Sequence, residues 1–232
     1  MLRSAIVGYG KMGHMVERLA PEHGCEVVRT IASSQNVNGS GLTKDALKQV
    51  QVAIEFTTPA AAPINLARLI EARLPTVAGT TGWFAQLPEL RKKAEAQRTG
   101  LVWGPNFSIG LHHFRRTVAE AAQRFAREEN YGAWGWEVHH AAKKDAPSGT
   151  MLALVEEMQR SGYGREVSVS SNRVGLVPGT HEIGFDSAED TITIRHTARS
   201  RDAFARGALR AAHWLFGKTG VFEFREIADE LK

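Results

Sequence analysis

Two stretches of the 232-residue chain carry residue types able to do chemistry. The richer one reads Glu137-Val138-His139-His140-Ala141-Ala142-Lys143-Lys144-Asp145-Ala146-Pro147-Ser148-Gly149-Thr150. Histidine titrates near neutrality, so it takes up or gives away a proton at working pH. A lysine in a partly desolvated site acts as an acid or holds a carboxylate. The Pro-Ser-Gly-Thr segment opens a helix, whose free amides, with the Ser148 and Thr150 hydroxyls, make an anion cradle. Proton donors beside such a cradle suit a carboxylated substrate. A plainer arrangement, a strand ending in two histidines before an ordinarily capped helix, uses the same residues. No metal is expected. His112-His113 lies in a helical stretch, where neighbours point about 100° apart, and no H-E-x-x-H spacing occurs.

The second stretch is Gly8-Tyr9-Gly10-Lys11-Met12-Gly13, a G-x-G-x-x-G string between a strand pattern and an amphipathic helix pattern. The first glycine permits a tight turn, the second lets backbone approach a pyrophosphate, and the third lets helix and strand pack closely. Gly8, Tyr9, Gly10, Lys11, Met12 and Gly13 are therefore candidate dinucleotide contacts. NAD-selective sites place an acidic residue about 20 positions on, at the end of the second strand. Here that strand ends Ile31-Ala32-Ser33-Ser34-Gln35, without Asp or Glu. Ser33, with Lys11 in the glycine loop, accepts a 2′-phosphate without charge repulsion, which tilts the expectation toward NADPH, with NADH usable as well.

The elements that must hold these groups follow from periodicity. Short apolar runs at 2–7, 26–32, 52–56, 75–78 and 101–103 read as buried strands. Helical patterns at 11–23, 60–73 and 84–97 alternate with them, which predicts a parallel sheet covered on both faces. Residues 33–41 read as an exposed loop. Beyond Phe107 come a long helix at 111–129, a strand at 133–140, a helix at 150–160, strands at 167–172, 180–185 and 191–197, and a helix at 202–216. Strict alternation in Thr191-Ile192-Thr193-Ile194-Arg195-His196 predicts a sheet with one more polar face.

Composition narrows the classes. Apolar residues make up 43% and charged residues 23%, which fits a folded chain with a full core and excludes disorder. No apolar run reaches the roughly 18 residues of a membrane span. The start of the chain, Met1-Leu2-Arg3, leads straight into the first strand pattern, so no secretory leader is expected. A single cysteine, Cys25, excludes an internal disulfide and fits a cytoplasmic location. Lys plus Arg, 29, against Asp plus Glu, 25, gives +4, spread without the clustered stripe of a nucleic-acid binder.

Glycine loop and H-H-x-x-K-x-D-A-P-S-G-T together resemble the dihydrodipicolinate reductase family. The resemblance continues through Glu55-Phe56-Thr57-Thr58-Pro59, Gly79-Thr80-Thr81-Gly82 and Gly104-Pro105-Asn106-Phe107-Ser108-Ile109-Gly110. It extends to Gly175-Leu176-Val177-Pro178-Gly179-Thr180-His181-Glu182 and Ser200-Arg201-Asp202-Ala203-Phe204-Ala205-Arg206-Gly207-Ala208. The family's loop is commonly G-x-x-G-[RK]-M-G, a residue longer than here. The resemblance implies reduction of 4-hydroxy-tetrahydrodipicolinate to tetrahydrodipicolinate, in the diaminopimelate route to lysine. Water is lost, hydride from the nicotinamide adds to the ring, and a proton completes the reduction. By resemblance His139 is the general acid/base and Lys143 a proton donor, while His140, Gly149 and Thr150 bind the small dicarboxylate. Gly79, Thr80 and Thr81 line the nicotinamide side, with Phe56, Gly104, Pro105, Asn106 and Phe107 nearby.

The implied fold is α/β. A Rossmann dinucleotide-binding domain, 1–107 completed by 200–232, encloses an α+β substrate-binding and oligomerisation domain, 108–199, that builds a homotetramer. Two other readings share part of the pattern: another Rossmann oxidoreductase acting on an amino- or keto-acid, and a non-catalytic NADP sensor. The first has no DAPSGT segment, and the second has no use for two histidines and a lysine beside an anion site.

Overall fold

The β-branched and apolar run Leu2–Val7 forms strand β1, and the chain then alternates strand and helix. The computed structural model describes residues 1–231. Strands β2 (Cys25–Ile31), β3 (Val52–Glu55), β4 (Thr76–Ala78), β5 (Gly100–Trp103) and β10 (Gly220–Glu223) join β1 in a six-stranded sheet of order β10-β5-β4-β3-β1-β2. Every pairing in it is parallel. Helices α1 (Lys11–Leu19) and α7 (Asp202–Leu215) pack together, as do α3 (Ala62–Glu71) and α4 (Leu87–Gln97). Ile6 lies against Gly13 of α1, while its neighbour Val7 clusters with Leu69 of α3. Successive strand residues point to opposite faces, so the two helix pairs cover opposite sides of the sheet. Both sides of a parallel sheet must be covered in this way. The α/β Rossmann expectation is met.

This sheet belongs to a unit made of residues 1–108 and the chain from 202 on; a second unit spans Ile109–Arg201. The second unit carries a four-stranded sheet of order β7-β6-β8-β9, from β6 (Gly132–His139), β7 (Val167–Arg173), β8 (Thr180–Asp186) and β9 (Thr191–Thr197). Strands β6 and β7 run parallel, and the other pairs antiparallel. Helices α5 (Ile109–Phe125) and α6 (Gly149–Arg160) cover one face through Leu111, Phe114, Val118, Met151, Leu154 and Met158, packed on Ala133, Ile183 and Phe185. The opposite face holds Trp134, Trp136, Glu182 and Arg195. Trp134 lies over Gly184, where a Cβ would stand 2.2 Å from its ring. Along β6 the helix-facing set runs Ala133, Gly135, Glu137, His139, so the core face turns polar at its carboxyl end.

Several boundaries differ from the sequence reading. The first helix stops at Leu19 rather than 23, because Pro21 has no amide to continue it and a 3₁₀ turn, Pro21–His23, follows. The long helix spans Ile109–Phe125, not 111–129. Strand β10 and the short helices α2 (Lys44–Leu47) and α8 (Phe224–Ile227) were not foreseen. The stretch 33–41 is a loop with internal 3₁₀ turns, and its Gly39 is buried. No helix among the described residues is long and apolar enough to cross a membrane.

Helix α7 approaches the 104–107 turn so closely that a Cβ on Gly207 would stand 1.7 Å from the Phe107 carbonyl oxygen. Gly207→Ala is therefore expected to cost about 3 kcal/mol in a urea unfolding series. Gly132→Ala, where a Cβ meets nothing within 4 Å, should stay within about 0.5 kcal/mol of the parent.

Candidate active site

The carboxyl end of β6 is organised around one carboxylate. Glu137 is fully buried, and across the sheet it stands level with Ser171 on β7 and His181 on β8. Its Oε1 accepts from Ser171 Oγ at 2.9 Å, Arg173 Nη2 at 2.8 Å and the Ser148 amide at 2.9 Å. Its Oε2 accepts from the Ser148 hydroxyl. Ser148 caps α6, its Oγ accepting from Met151 N at 3.2 Å, so the carboxylate also sits at a helix amino terminus. Burial pushes the Glu137 carboxyl up, but the bonds from Ser148, Arg173 and Ser171 outweigh it and hold the pKa at about 2. This corrects one expectation. The Ser148 hydroxyl and amide do not wait for an external anion; they are spent on Glu137.

His139 follows on the same face, buried, with Nδ1 3.7 Å from Glu137 Oε2. Its ring meets His181 edge-on at 5.0 Å between centroids, and Gly179 packs against both rings. Burial lowers the His139 pKa, with Glu137 opposing and Lys143 and Arg173 assisting. His181 is lowered further, to about 4, by burial first and then by His139. Both rings are thus neutral near pH 7. A ligand atom from each of Glu137, His139 and His181 falls within one 4.8 Å cluster, with the Arg173 guanidinium already bonded to the carboxylate.

The turn after His139 is tied down by its backbone. Val174 N donates to His139 O at 2.9 Å, Ala141 N to Gly175 O at 3.1 Å and Lys143 N to His140 O at 3.0 Å. His140 is half-buried, Gly149 is exposed and Thr150 is half-buried. Lys143 Nζ reaches Asp145 Oδ1 at 2.7 Å, and that bond holds the Asp145 carboxyl below its usual range. The structure therefore brings His139, Lys143 and the start of α6 into one region, with Lys143 already paired to an internal anion. Glu137, Ser171, Arg173 and His181 were missed as site residues. Their one visible signal was a glutamate at a core-facing strand position.

In the other unit, the dinucleotide candidates gather where five parallel strands end. Gly8 follows β1, Ser33 follows β2, Phe56 follows β3, Gly79 follows β4 and Gly104 follows β5. Gly8 has φ +96°, and a Cβ there would lie 2.0 Å from Phe56 O. Gly13 packs on Gly8, with a Cβ 2.4 Å from its carbonyl oxygen. Gly10 differs: a Cβ meets nothing within 4 Å, and no side chain caps α1. The helix start is open in the way a pyrophosphate requires, so the residues present fit a dinucleotide. Tyr9 donates its hydroxyl to Glu17 and its ring lies tilted against His14 at 4.0 Å, Lys11 is exposed and Met12 half-buried. Gly79 lies against the Phe56 ring, and Thr80 Oγ1 accepts from Thr57 N at 2.7 Å. Thr81 and Pro105 are exposed, Asn106 Oδ1 accepts from Ser108 N at 2.8 Å, and the Phe107 ring meets Phe56 edge-on and Phe224 at a tilt. Ser33 is exposed at the far end of this edge.

Residues 2–107 match the family description "Dihydrodipicolinate reductase, N-terminus", and residues 110–227 match "Dihydrodipicolinate reductase, C-terminus". The 4-hydroxy-tetrahydrodipicolinate reductase of Christiangramia forsetii is 30% identical over 238 residues, covering 98% of each chain. That of Thiobacillus denitrificans is 31% identical over 264 residues, covering 97% of this chain and 98% of its own. A dipicolinate-bound dihydrodipicolinate reductase from Paenisporosarcina sp. TG-14 has the same fold, with a TM-score of 0.82 at 21% identity over 98% of this chain and 99% of that one. Parallel sheet, glycine loop and relatives together define an oxidoreductase that uses a nicotinamide dinucleotide on a small molecule. Within that class, the chain belongs to the dihydrodipicolinate reductase family.

The buried network makes stability depend on pH in a definite direction. Unfolded histidine takes a proton near pH 6.5, whereas native His181 resists until about 4. The unfolded state thus binds more protons in that window, and stability falls as pH drops through it. Glu137 adds a second loss, from its unfolded value near 4.3 down toward 2. Thermal melts should decline below about pH 6.5, and His181→Gln should make that first decline shallower. Glu137→Gln, which leaves Arg173 without its carboxylate, should cost about 3–5 kcal/mol at pH 7.

Proposed function

We propose that this protein reduces 4-hydroxy-tetrahydrodipicolinate to tetrahydrodipicolinate in the diaminopimelate route to lysine, with NADPH ahead of NADH. The observation that carries this reading is the buried His139 beside Lys143 and the α6 start, in a chain that matches both halves of the family. The bound nicotinamide supplies a hydride from its C4. The protein's own residues supply the proton and hold the carboxylates.

His139 is the general acid/base. The Glu137 carboxylate facing its Nδ1 favours the tautomer protonated there, which leaves Nε2 to exchange a proton with the substrate. A neutral imidazole cycles through its cation during turnover, and the Glu137 charge stabilises that cation. Lys143 provides positive charge for a substrate carboxylate and a second proton donor, and His140, Gly149 and Thr150 complete the carboxylate contacts. Gly8, Tyr9, Gly10, Lys11, Met12 and Gly13 take the pyrophosphate. Phe56, Gly79, Thr80, Thr81, Gly104, Pro105, Asn106 and Phe107 line the nicotinamide end. Ser33, exposed with Ser34 and with no acid at the β2 end, favours a 2′-phosphate.

The first unit is assigned to the cofactor and the second to the substrate and to assembly. A homotetramer is supported by the outer sheet face, where Trp134 and Trp136 stand half-buried with no helix over them. A cytoplasmic location fits the lone Cys25, a buried thiol that burial pushes up to about 11.

Dihydrodipicolinate synthase product, supplied with NADPH and followed by the loss of nicotinamide absorbance, tests the activity. His139→Gln should lower kcat about 10²–10³-fold with little change in NADPH affinity. Lys143→Ala should also raise KM, and Thr150→Val should mainly raise KM, by about tenfold. Gly10→Ala should melt like the parent while weakening NADPH binding at least about tenfold. Tight NADPH binding without turnover would favour a sensor, and a strong NADH preference would overturn the cofactor assignment.

A further inference from the structure

One buried polar side chain on α3 reaches between two loops of the dinucleotide-binding unit. Asn65 is 1% exposed, on a helix whose other inward residues are Ala62, Leu66, Leu69 and Ile70. Its Oδ1 accepts from Asn36 Nδ2 at 2.8 Å, and its Nδ2 donates to Thr57 Oγ1 at 3.3 Å. Asn36 closes the loop after β2, its Oδ1 accepting from Gly41 N at 3.1 Å. Gly39 of that loop packs on Ile64 and Arg68 of the same helix. On the inner side, the Thr57 hydroxyl donates to Glu55 Oε1, and Thr57 N donates to Thr80 Oγ1 at 2.7 Å.

The donors run one way: Asn36 to Asn65, Asn65 to Thr57, Thr57 to Glu55. Reversing the Asn65 amide would set nitrogen against nitrogen at the Asn36 end, where Gly41 N already holds the Asn36 oxygen. The Asn36 bond therefore fixes its orientation, and with the Thr57 proton given to Glu55 a side chain with one donor and one acceptor end serves both neighbours. Glu55, fully buried at the end of β3, anchors the chain with Oε1. A buried amide that only filled space would not bridge two loops 21 residues apart in sequence (Asn36 and Thr57), each following a different strand.

We infer that Asn65 is a positioning residue that sets both ends of the dinucleotide site through one side chain, the ribose 2′ end by way of Asn36 and the nicotinamide end by way of Thr57. This rests on the cofactor placement proposed above, with Ser33 at one end and Phe56, Gly79 and Thr80 at the other. A substitution at Asn65 loosens two loops at once, whereas a substitution at either outer member loosens one.

The test titrates two cofactor fragments, 2′,5′-ADP and reduced nicotinamide mononucleotide, into the full-length protein and its variants. Asn36→Ala should weaken 2′,5′-ADP alone, Thr57→Val the nicotinamide fragment alone, and Asn65→Leu both, each by about five- to tenfold. Asn65→Asp at pH 8 keeps an acceptor for Asn36 and has no donor for Thr57. It should weaken only the nicotinamide fragment, and its near-identical shape gives a readout should the leucine variant fail to fold. Unchanged affinities in the Asn65 variants, or equal weakening of both fragments by all four substitutions, overturn the inference while leaving the cofactor placement standing. A parent protein that binds neither fragment overturns the placement and the inference together.

Discussion

The second unit is arranged around the need to bury a carboxylate. Desolvating an ion costs several kcal/mol even after relaxation, and Glu137 sits where no water reaches it. Four donors from two elements repay that cost: Ser148 twice, Ser171 and Arg173. Because those donors come from β7 and from the first residues of α6, satisfying one charge joins two strands and a helix start. The same charge stands behind the His139 ring, so the residue proposed to move a proton is backed by a fixed negative field. A mobile surface carboxylate would be screened and would pay side-chain entropy to hold its place.

The first unit answers a different constraint. Parallel strands end together, and their loops leave the sheet at one edge. Where the strand order turns back on itself, beside β1 and β3, the chain has to pass without side chains. Gly8 fits under the Phe56 carbonyl and Gly13 under Gly8. Each of these glycines is demanded by protein against protein. Gly10 is not, and its freedom is what marks the loop as a place for something other than protein.

Local pattern made much of this legible. Parallel strands buried on both faces read as continuous apolar runs, as in Val52–Glu55, and the glycine string located the first βα turn. What stayed hidden was non-local. Glu137 looked like one more polar residue at a strand end, because Ser171, Arg173 and His181 lie 34 to 44 residues further on. Strand β10 has a single buried residue, Val221, and is a strand only because β5 offers it an edge. Asn65 is an amide inside an apolar helix stripe, indistinguishable from a tolerated polar residue until Asn36 and Thr57 are brought to it. The Ser148 expectation failed for a related reason: a helix amino terminus in a sequence shows its free donors and not the internal acceptor that meets them.

Asp145 already occupies one donor, Lys143 Nζ, that the proposed function gives to the substrate. Docking of a carboxylate there is then an exchange of one anion for another, with little change in local charge. A monocarboxylate gains almost nothing over the protein's own aspartate, which is tethered and so present at high effective concentration. A ligand with a second carboxylate adds contacts that Asp145 cannot make. Under the proposed function, the resident aspartate would set a threshold that favours doubly charged molecules over singly charged ones.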